Sequence, residues 1–166
     1  LLAFSPEERP LALQLGGSEP EELARAVAIA APRGFDEIDL NVGCPSDRVQ
    51  SGTFGACLMR DPGRVAECVA AMIGAGGGVE ITVKCRIGVD EQDPATALPA
   101  FIDRIAASGV RRVAIHARKA WLQGLSPKEN RDVPPLRYDH VHRLKAERPD
   151  LTLVLNGGLT DLDHAR

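Results

Sequence analysis

The chain has 166 residues, is 44% apolar and carries 20 basic against 23 acidic side chains, a net charge of −3, so it can bury a sizeable core and lacks the overall basic signature of a nucleic-acid binder. No apolar run approaches the roughly 18 residues needed to cross a bilayer, and no signal-peptide pattern is present, which leads us to expect a cytoplasmic protein with no membrane partner. The four cysteines, at positions 44, 57, 68 and 85, form no C-x-x-C pair and have no histidine at a fixed spacing, so neither a disulfide framework nor a metal is expected.

Five strand-like runs alternate with helical patterns. In the first, Leu11 to Leu15, the leucines 11, 13 and 15 share one face while Ala12 and Gln14 share the other. A helix follows, opened by a capping-box signature of Ser18 and Glu21 and running to about Ala31 before Pro32. In the second strand Ile38, Leu40 and Val42 oppose Asp39 and Asn41, and the run closes in Asn41-Val42-Gly43-Cys44-Pro45-Ser46. There Gly43 can take a positive φ at little cost and Pro45 fixes its own, so Cys44 is presented on a constrained turn and is a candidate for chemistry. Its other reading is a small buried apolar side chain.

Asp61 is the expected N-cap of the second helix, with Pro62 at its first position and Val65, Cys68, Val69 and Met72 as an apolar stripe; Cys68 is therefore read as core. Gly74 to Gly78 links this helix to the third strand, Ile81 to Ile87, in which Ile81, Val83, Cys85 and Ile87 oppose Thr82, Lys84 and Arg86. A third helix uses Leu98, Phe101, Ile102 and Ile105 and ends at Gly109, with Pro99 marking its expected start. Val113, Ile115 and Ala117 then oppose Ala114, His116 and Arg118. A fourth helix built on Tyr138, Val141 and Leu144 stops before Pro149, and Leu151, Leu153 and Leu155 oppose Thr152, Val154 and Asn156. Thr160 to Arg166 reads as the first turns of a fifth helix.

One face of every strand is greasy, and the other turns polar toward the C-terminal end, at Gln14, Asn41, Lys84, His116 and Asn156. Strand-helix alternation makes the sheet parallel, and polar residues gathered at strand C-termini are the pattern of a (β/α)₈ barrel, its catalytic pole included. A doubly wound open sheet predicts strands apolar on both faces and a G-x-G-x-x-G turn, neither of which is present. Since such barrels take about 250 residues and eight strands, the expectation is a partial TIM barrel, with about five of eight strands. Local charge adds a second theme. From Val110 to Arg131 six cations face Glu129 alone, a charge of +5 that leaves −8 for the remainder, and the same stretch holds Trp121, the only tryptophan. Cations around an aromatic in a strand-to-helix loop suit backbone charge pairing and base stacking on RNA.

Taken together, Gln14, Asn41-Val42-Gly43-Cys44-Pro45, Val83-Lys84-Cys85-Arg86-Ile87-Gly88, His116-Ala117-Arg118 and Asn156-Gly157-Gly158, in this order and spacing, resemble the tRNA-dihydrouridine synthases. The run from His116 through Trp121 to Arg131 resembles their A-type subfamily. The resemblance implies an FMN enzyme that uses NADPH to reduce the C5–C6 bond of uridine in the tRNA D-loop, at position 20 and its neighbour. By matched position, Cys44 would give a proton to C5, a role suited to a thiol that at its ordinary pKa of about 8.5 is mostly protonated near neutrality. Gln14, Lys84 and His116 would contact the flavin, Asn41 the flavin or the uracil, and Asn156, Gly157 and Gly158 the FMN phosphate. Arg131 would touch the target base, and Arg118, Lys119 and Lys128 the tRNA backbone. Against the family pattern, residues 1–166 correspond to the central part of the flavin-binding barrel domain, without the opening strand and its Ala-Pro-Met motif, the final strand and the helical tRNA-binding domain; an isolated fragment of this kind is expected to be inactive.

The residues themselves leave other readings open. Gln14 and Asn41 can simply bond neighbouring strands, and Lys84 can pair with Asp39 in the lumen. A Schiff-base lyase using Lys84 and a non-catalytic RNA-binding module are two further functional classes.

Overall fold

The computed structural model describes residues 2–46 and 54–165. Strands β1 (Ala12–Leu15), β2 (Glu37–Val42), β3 (Glu80–Arg86), β4 (Arg112–His116) and β5 (Thr152–Asn156) form one all-parallel sheet in the order β1-β2-β3-β4-β5. Each strand lies beside its neighbour in sequence, so the winding never reverses, and right-handed crossovers then set every connecting helix on the same face. A doubly wound sheet requires a reversal of strand order; this winding is that of a partial TIM barrel.

The helices are α1 (Pro20–Ala30), α2 (Pro62–Ala75), α3 (Pro94–Ala106), a single turn α4 (Glu129–Asp132) and α5 (Tyr138–Glu147). Strand parity decides what they cover. Ile38, Leu40, Val42, Val83, Cys85, Val113 and Ile115 are fully buried, in one cluster with Val27 of α1, Val65, Val69 and Met72 of α2, Leu98, Phe101 and Ile102 of α3 and Leu144 of α5. Each large side chain buried this way contributes about 1.5–3 kcal/mol, so this layer is the main stabilising term. Cys68 lies in that core, as its place in the stripe predicts.

The opposite parity faces the lumen in register. Gln14, Asp39 and Thr82 stand at one level, Asn41 and Lys84 at the next, and Arg86, His116 and Asn156 nearest the carboxyl ends. Polar groups are thus stacked toward one pole. The glycine-rich link 74–78 enters β3 at the other pole, at the strand's N-terminal end.

Several local expectations change. The first helix starts at Pro20 with Glu19 at the N-cap position and no side-chain cap, so Ser18 and Glu21 form no capping box; a proline at the first position needs no donor satisfied there. Asp61 does cap α2, accepting from the Arg64 N–H. β1 begins one residue later than the pattern suggests, because the Leu11 N–H and carbonyl both bond Asp36 outside the ladder. Gly43 is not among the positive-φ glycines, and the turn it belongs to is made differently, as described below. Beyond β5 the chain makes a bend and a turn at 161–165, where Asp161 accepts from the His164 N–H, rather than a helix; Arg166 lies outside the described residues.

Pro99 sits inside α3, not at its start, which Pro94 occupies behind the capping carboxylate of Asp93. An internal proline removes one i to i−4 bond, here the one that the Ala95 carbonyl would accept. Arg143 of α5 replaces it, its Nη2 donating to that carbonyl at 3.1 Å. Replacing Arg143 by Ala is expected to cost about 0.5–1.5 kcal/mol, the value of one hydrogen bond. In a Pro99→Ala background, where residue 99 regains its N–H, that cost is expected to fall by at least half. Urea unfolding of the four proteins measures the coupling, and strictly additive losses would refute the substitution of one donor for the other.

Candidate functional site

A cleft of about 250 Å³ opens where β1 to β4 end. Gln14, Asn41, Cys44, Lys84, His116 and Arg131, six residues singled out from the sequence, line it, joined by Gly43, Pro45, Arg86 and Pro127.

Cys44 is held by the strand that precedes it. Asn41 Oδ1 accepts from the N–H groups of both Gly43 and Cys44 at 3.0 Å, an Asx-type turn in which a side chain does the work expected of a glycine dihedral. The Cys44 carbonyl accepts from the Ala56 N–H at 2.8 Å, and its thiol, half-buried, donates to Ser46 Oγ at 3.4 Å. The remaining thiols are inert by comparison. Burial pushes Cys85 up to about 12 and Cys68 up to about 11, and Cys57, also raised by burial, donates to the Phe54 carbonyl.

Lys84 does not pair with Asp39. Its Nζ donates to Asn156 Oδ1 at 3.0 Å, and burial lowers its pKa from the ordinary lysine value. Asp39 instead accepts from Gln14 Nε2 at 2.6 Å and Thr82 Oγ1 at 3.1 Å. His116 is 9% exposed and its Nε2 has no partner among the described residues. Burial first, then the positive charges of Arg86, Lys84, Arg118 and Arg131, push its pKa down to about 3, so the ring is neutral at physiological pH. Gly157 lies directly against that ring: a Cβ there would meet His116 Cδ2 at 2.4 Å and Nε2 at 2.7 Å. Gly157 and Gly158 have φ of 102° and 71°, and Tyr138 Oη donates to the Gly157 carbonyl at 2.6 Å, so the turn after β5 is a bare backbone loop closed from below by an aromatic hydroxyl.

Arg86 is the functional residue that sequence reasoning passed over, although its parity put it on the polar face. Its guanidinium, 4% exposed, donates to the carbonyls of Gly43 at 3.2 Å, Asn130 at 2.8 Å and Lys119 at 3.4 Å, which ties the cysteine turn to the basic loop. Fully buried Asn130 organises that loop in turn, accepting from the Trp121 N–H at 2.7 Å and donating to the Trp121 carbonyl at 2.9 Å. The cations divide accordingly. Arg131 reaches the cleft, Arg118 turns inward to donate to the Pro134 carbonyl, Lys119 stands 5.2 Å above the Trp121 ring, and Lys128 is exposed at the start of α4.

What this site can bind follows from its charge. Among the described residues, the cleft where Lys84, Arg86 and Arg131 meet is lined by no carboxylate, and it lies beside a neutral imidazole with an unused nitrogen and the glycine turn after β5. Such a site suits an anionic ligand with hydrogen-bonding groups, and FMN is compatible with that chemistry. Among the described residues no group of three metal-ligating side chains could hold a metal ion, and no helix is long and apolar enough to cross a membrane.

Comparison with known proteins places the chain among relatives of one kind. A family model described as dihydrouridine synthase matches residues 1–166. The chain is 62% identical over 165 residues to the tRNA-dihydrouridine(20/20a) synthase of Xanthomonas axonopodis pv. citri, covering 99% of this chain and 49% of that protein. To the enzymes of the same name from Shewanella oneidensis and Vibrio cholerae it is 59% and 55% identical, covering 99% of this chain and 49% and 50% of theirs. The chain thus spans about half the length of the curated relatives it matches. Among solved structures, the crystal structure of DHDPS from Cyanidioschyzon merolae with lysine bound superposes with a TM-score of 0.54 at 12% identity, over 87% of this chain and 44% of that one, a likeness of fold alone.

Two outcomes follow from the His116 pocket. Because the folded imidazole binds a proton far less readily than an unfolded one, at about 6.5, His116 favours folding above that pH and costs stability progressively as pH falls toward 3. Denaturant melts between pH 7.5 and 4.5 should show a smaller acid loss for His116→Gln than for wild type; equal slopes would contradict a buried neutral ring. Gly157→Ala combines a positive φ with the clash on the ring and is expected to lower stability by at least about 1–3 kcal/mol, measurable in the same melts.

Proposed function

Because this chain belongs to the dihydrouridine synthase family, we propose that it forms the central part of the flavin-binding barrel of an FMN- and NADPH-dependent enzyme that reduces uridine to 5,6-dihydrouridine in the D-loop of tRNA, at positions 20 and 20a. The observation that carries this reading is the meeting, in one cleft, of a thiol on a fixed turn with half-buried Lys84, buried Arg86 and a neutral imidazole.

Each residue has a task in that reaction. Lys84, His116 and Gln14 hold the flavin ring, with the ammonium and the unused Nε2 of His116 supplying polar partners at its edge. The bare turn Asn156, Gly157, Gly158 offers backbone N–H groups to the phosphate, where the loop after a late barrel strand commonly does so. When bound and reduced, FMN supplies the hydride that reaches C6 of the uracil. Cys44 gives its thiol proton to C5, so that two hydrogens add across one C=C bond, and the resulting thiolate lies beside the cations of Lys84 and Arg86 until it regains a proton from water. Asn41 fixes the height of that thiol through the Gly43 and Cys44 N–H groups and is placed to reach the uracil or the flavin. Arg131 orders the target base. Lys119, with Trp121 beneath it, and the exposed Lys128 meet the tRNA backbone, with Arg118 holding the loop that carries them.

Single-turnover oxidation of the prereduced full-length protein by unmodified tRNA tests the central assignment. Cys44→Ala is expected to retain FMN and its reduction by NADPH but to react with tRNA about 10² to 10⁴ times more slowly, the usual loss for a positioned general acid. A rate equal to wild type would return Cys44 to a packing role. Lys119→Ala should leave flavin reduction untouched while weakening tRNA binding and flattening its dependence on log salt by about one unit, one phosphate contact; an unchanged slope would remove Lys119 from the interface.

A further inference from the structure

Asp39 is a buried carboxylate that the reaction above leaves without a task. It is 7% exposed and forms no ion pair among the described residues, the nearby Lys84 ammonium being given to Asn156 at 3.0 Å. Burial raises its pKa, so keeping it in the lumen costs stability. Its two partners explain its placement. Register sets Gln14 and Thr82 on either side of it at the same level of the sheet, and both donate to it, Gln14 Nε2 at 2.6 Å and Thr82 Oγ1 at 3.1 Å.

Both Asp39 oxygens accept here, whereas a glutamine side chain offers a donor on one side and an acceptor on the other. Bound to Asp39, the Gln14 amide is locked with its NH₂ toward the strand neighbour and its carbonyl oxygen on the opposite side. Gln14 also lines the cleft beside Asn41, Lys84 and His116. We propose that Asp39 is a positioning residue: it fixes the Gln14 amide so that the cleft presents an acceptor there, and thereby selects a ligand edge with an N–H. The inference rests on the flavin reading above. An oxidised isoalloxazine has a single ring N–H, at N3, and that imide N–H is the group the Gln14 oxygen takes. Without Asp39 the amide is free to rotate and can present its NH₂ instead, which opposes the same N–H.

Equilibrium binding of FMN and of N3-methyl-FMN to the full-length apoprotein tests this. FMN must first bind the wild type; if it does not, the flavin reading itself falls and this inference with it. In wild type, N3 methylation is expected to weaken binding about five- to tenfold, the worth of one hydrogen bond. Gln14→Ala and Asp39→Leu should each weaken FMN by a similar factor, and the double variant should be no weaker than the weaker single, because Asp39 acts through Gln14. Both single variants should bind N3-methyl-FMN as wild type does. Multiplicative losses in the double variant, or equal affinity of wild type for the two flavins, would overturn the proposal while leaving FMN binding intact. Melting of each apoprotein separates a general loss of fold, and Asp39→Ala takes the place of Asp39→Leu should the larger side chain prevent folding.

Discussion

The Arg86 guanidinium is the fastener at the carboxyl pole of the sheet. Its partners are three backbone carbonyls, one in the turn after β2, one in the loop after β4 and one in α4, so two segments far apart in sequence are held to one strand. Burial lowers its pKa to about 10, which still leaves it charged near neutrality. Carbonyls satisfy its donors without cancelling its charge. The consequence reaches beyond mechanics: burial first, and then the same positive charge with those of Lys84, Arg118 and Arg131, keeps His116 unprotonated, and these cations make the cleft a place where a bound anion is favoured.

That arrangement accounts for how a thiol, an imidazole and an ammonium occupy one small space without forming the ion pairs their proximity invites. The ammonium and the thiol each have a neutral partner, and the imidazole is itself uncharged. Lys84 bonds the Asn156 amide, Cys44 bonds the Ser46 hydroxyl, and Asp39, the carboxylate at hand, is occupied one level lower by Gln14 and Thr82. The Asp39 carboxylate is thus set one level below Lys84, and a ligand at the pole meets the cations of Lys84, Arg86 and Arg131.

Much of this was legible in the residues. Period-two alternation depends only on backbone pleating, so the apolar and polar faces of all five strands, and the gathering of Asn41, Lys84 and His116 at one end, could be read directly. Cys44 stood out because its neighbours restrict the backbone, although the restraint comes from the Asn41 side chain rather than from Gly43. What escaped reading were contacts to main-chain carbonyls, since every residue has one and none leaves a mark in composition. Arg86 bonding Gly43, and Arg143 bonding Ala95 behind Pro99, are of this kind. The inward turn of Arg118 escaped for the same reason: a cation aimed at Pro134 looks, as a letter, like one aimed at phosphate.

Strand order carries a last implication for how the chain comes to be folded. Every ladder joins consecutive strands, and the paired residues Gln14 with Asp39 and Asp39 with Thr82 lie only 25 and 43 positions apart. A polypeptide emerging from the ribosome therefore always finds its docking edge already synthesised, and each new strand and helix can be laid beside the last without waiting for distant sequence. The topology permits vectorial growth of the sheet, whereas the polar pole, whose Arg86 bonds Asn130 beyond β4, is complete only once that later sequence is present.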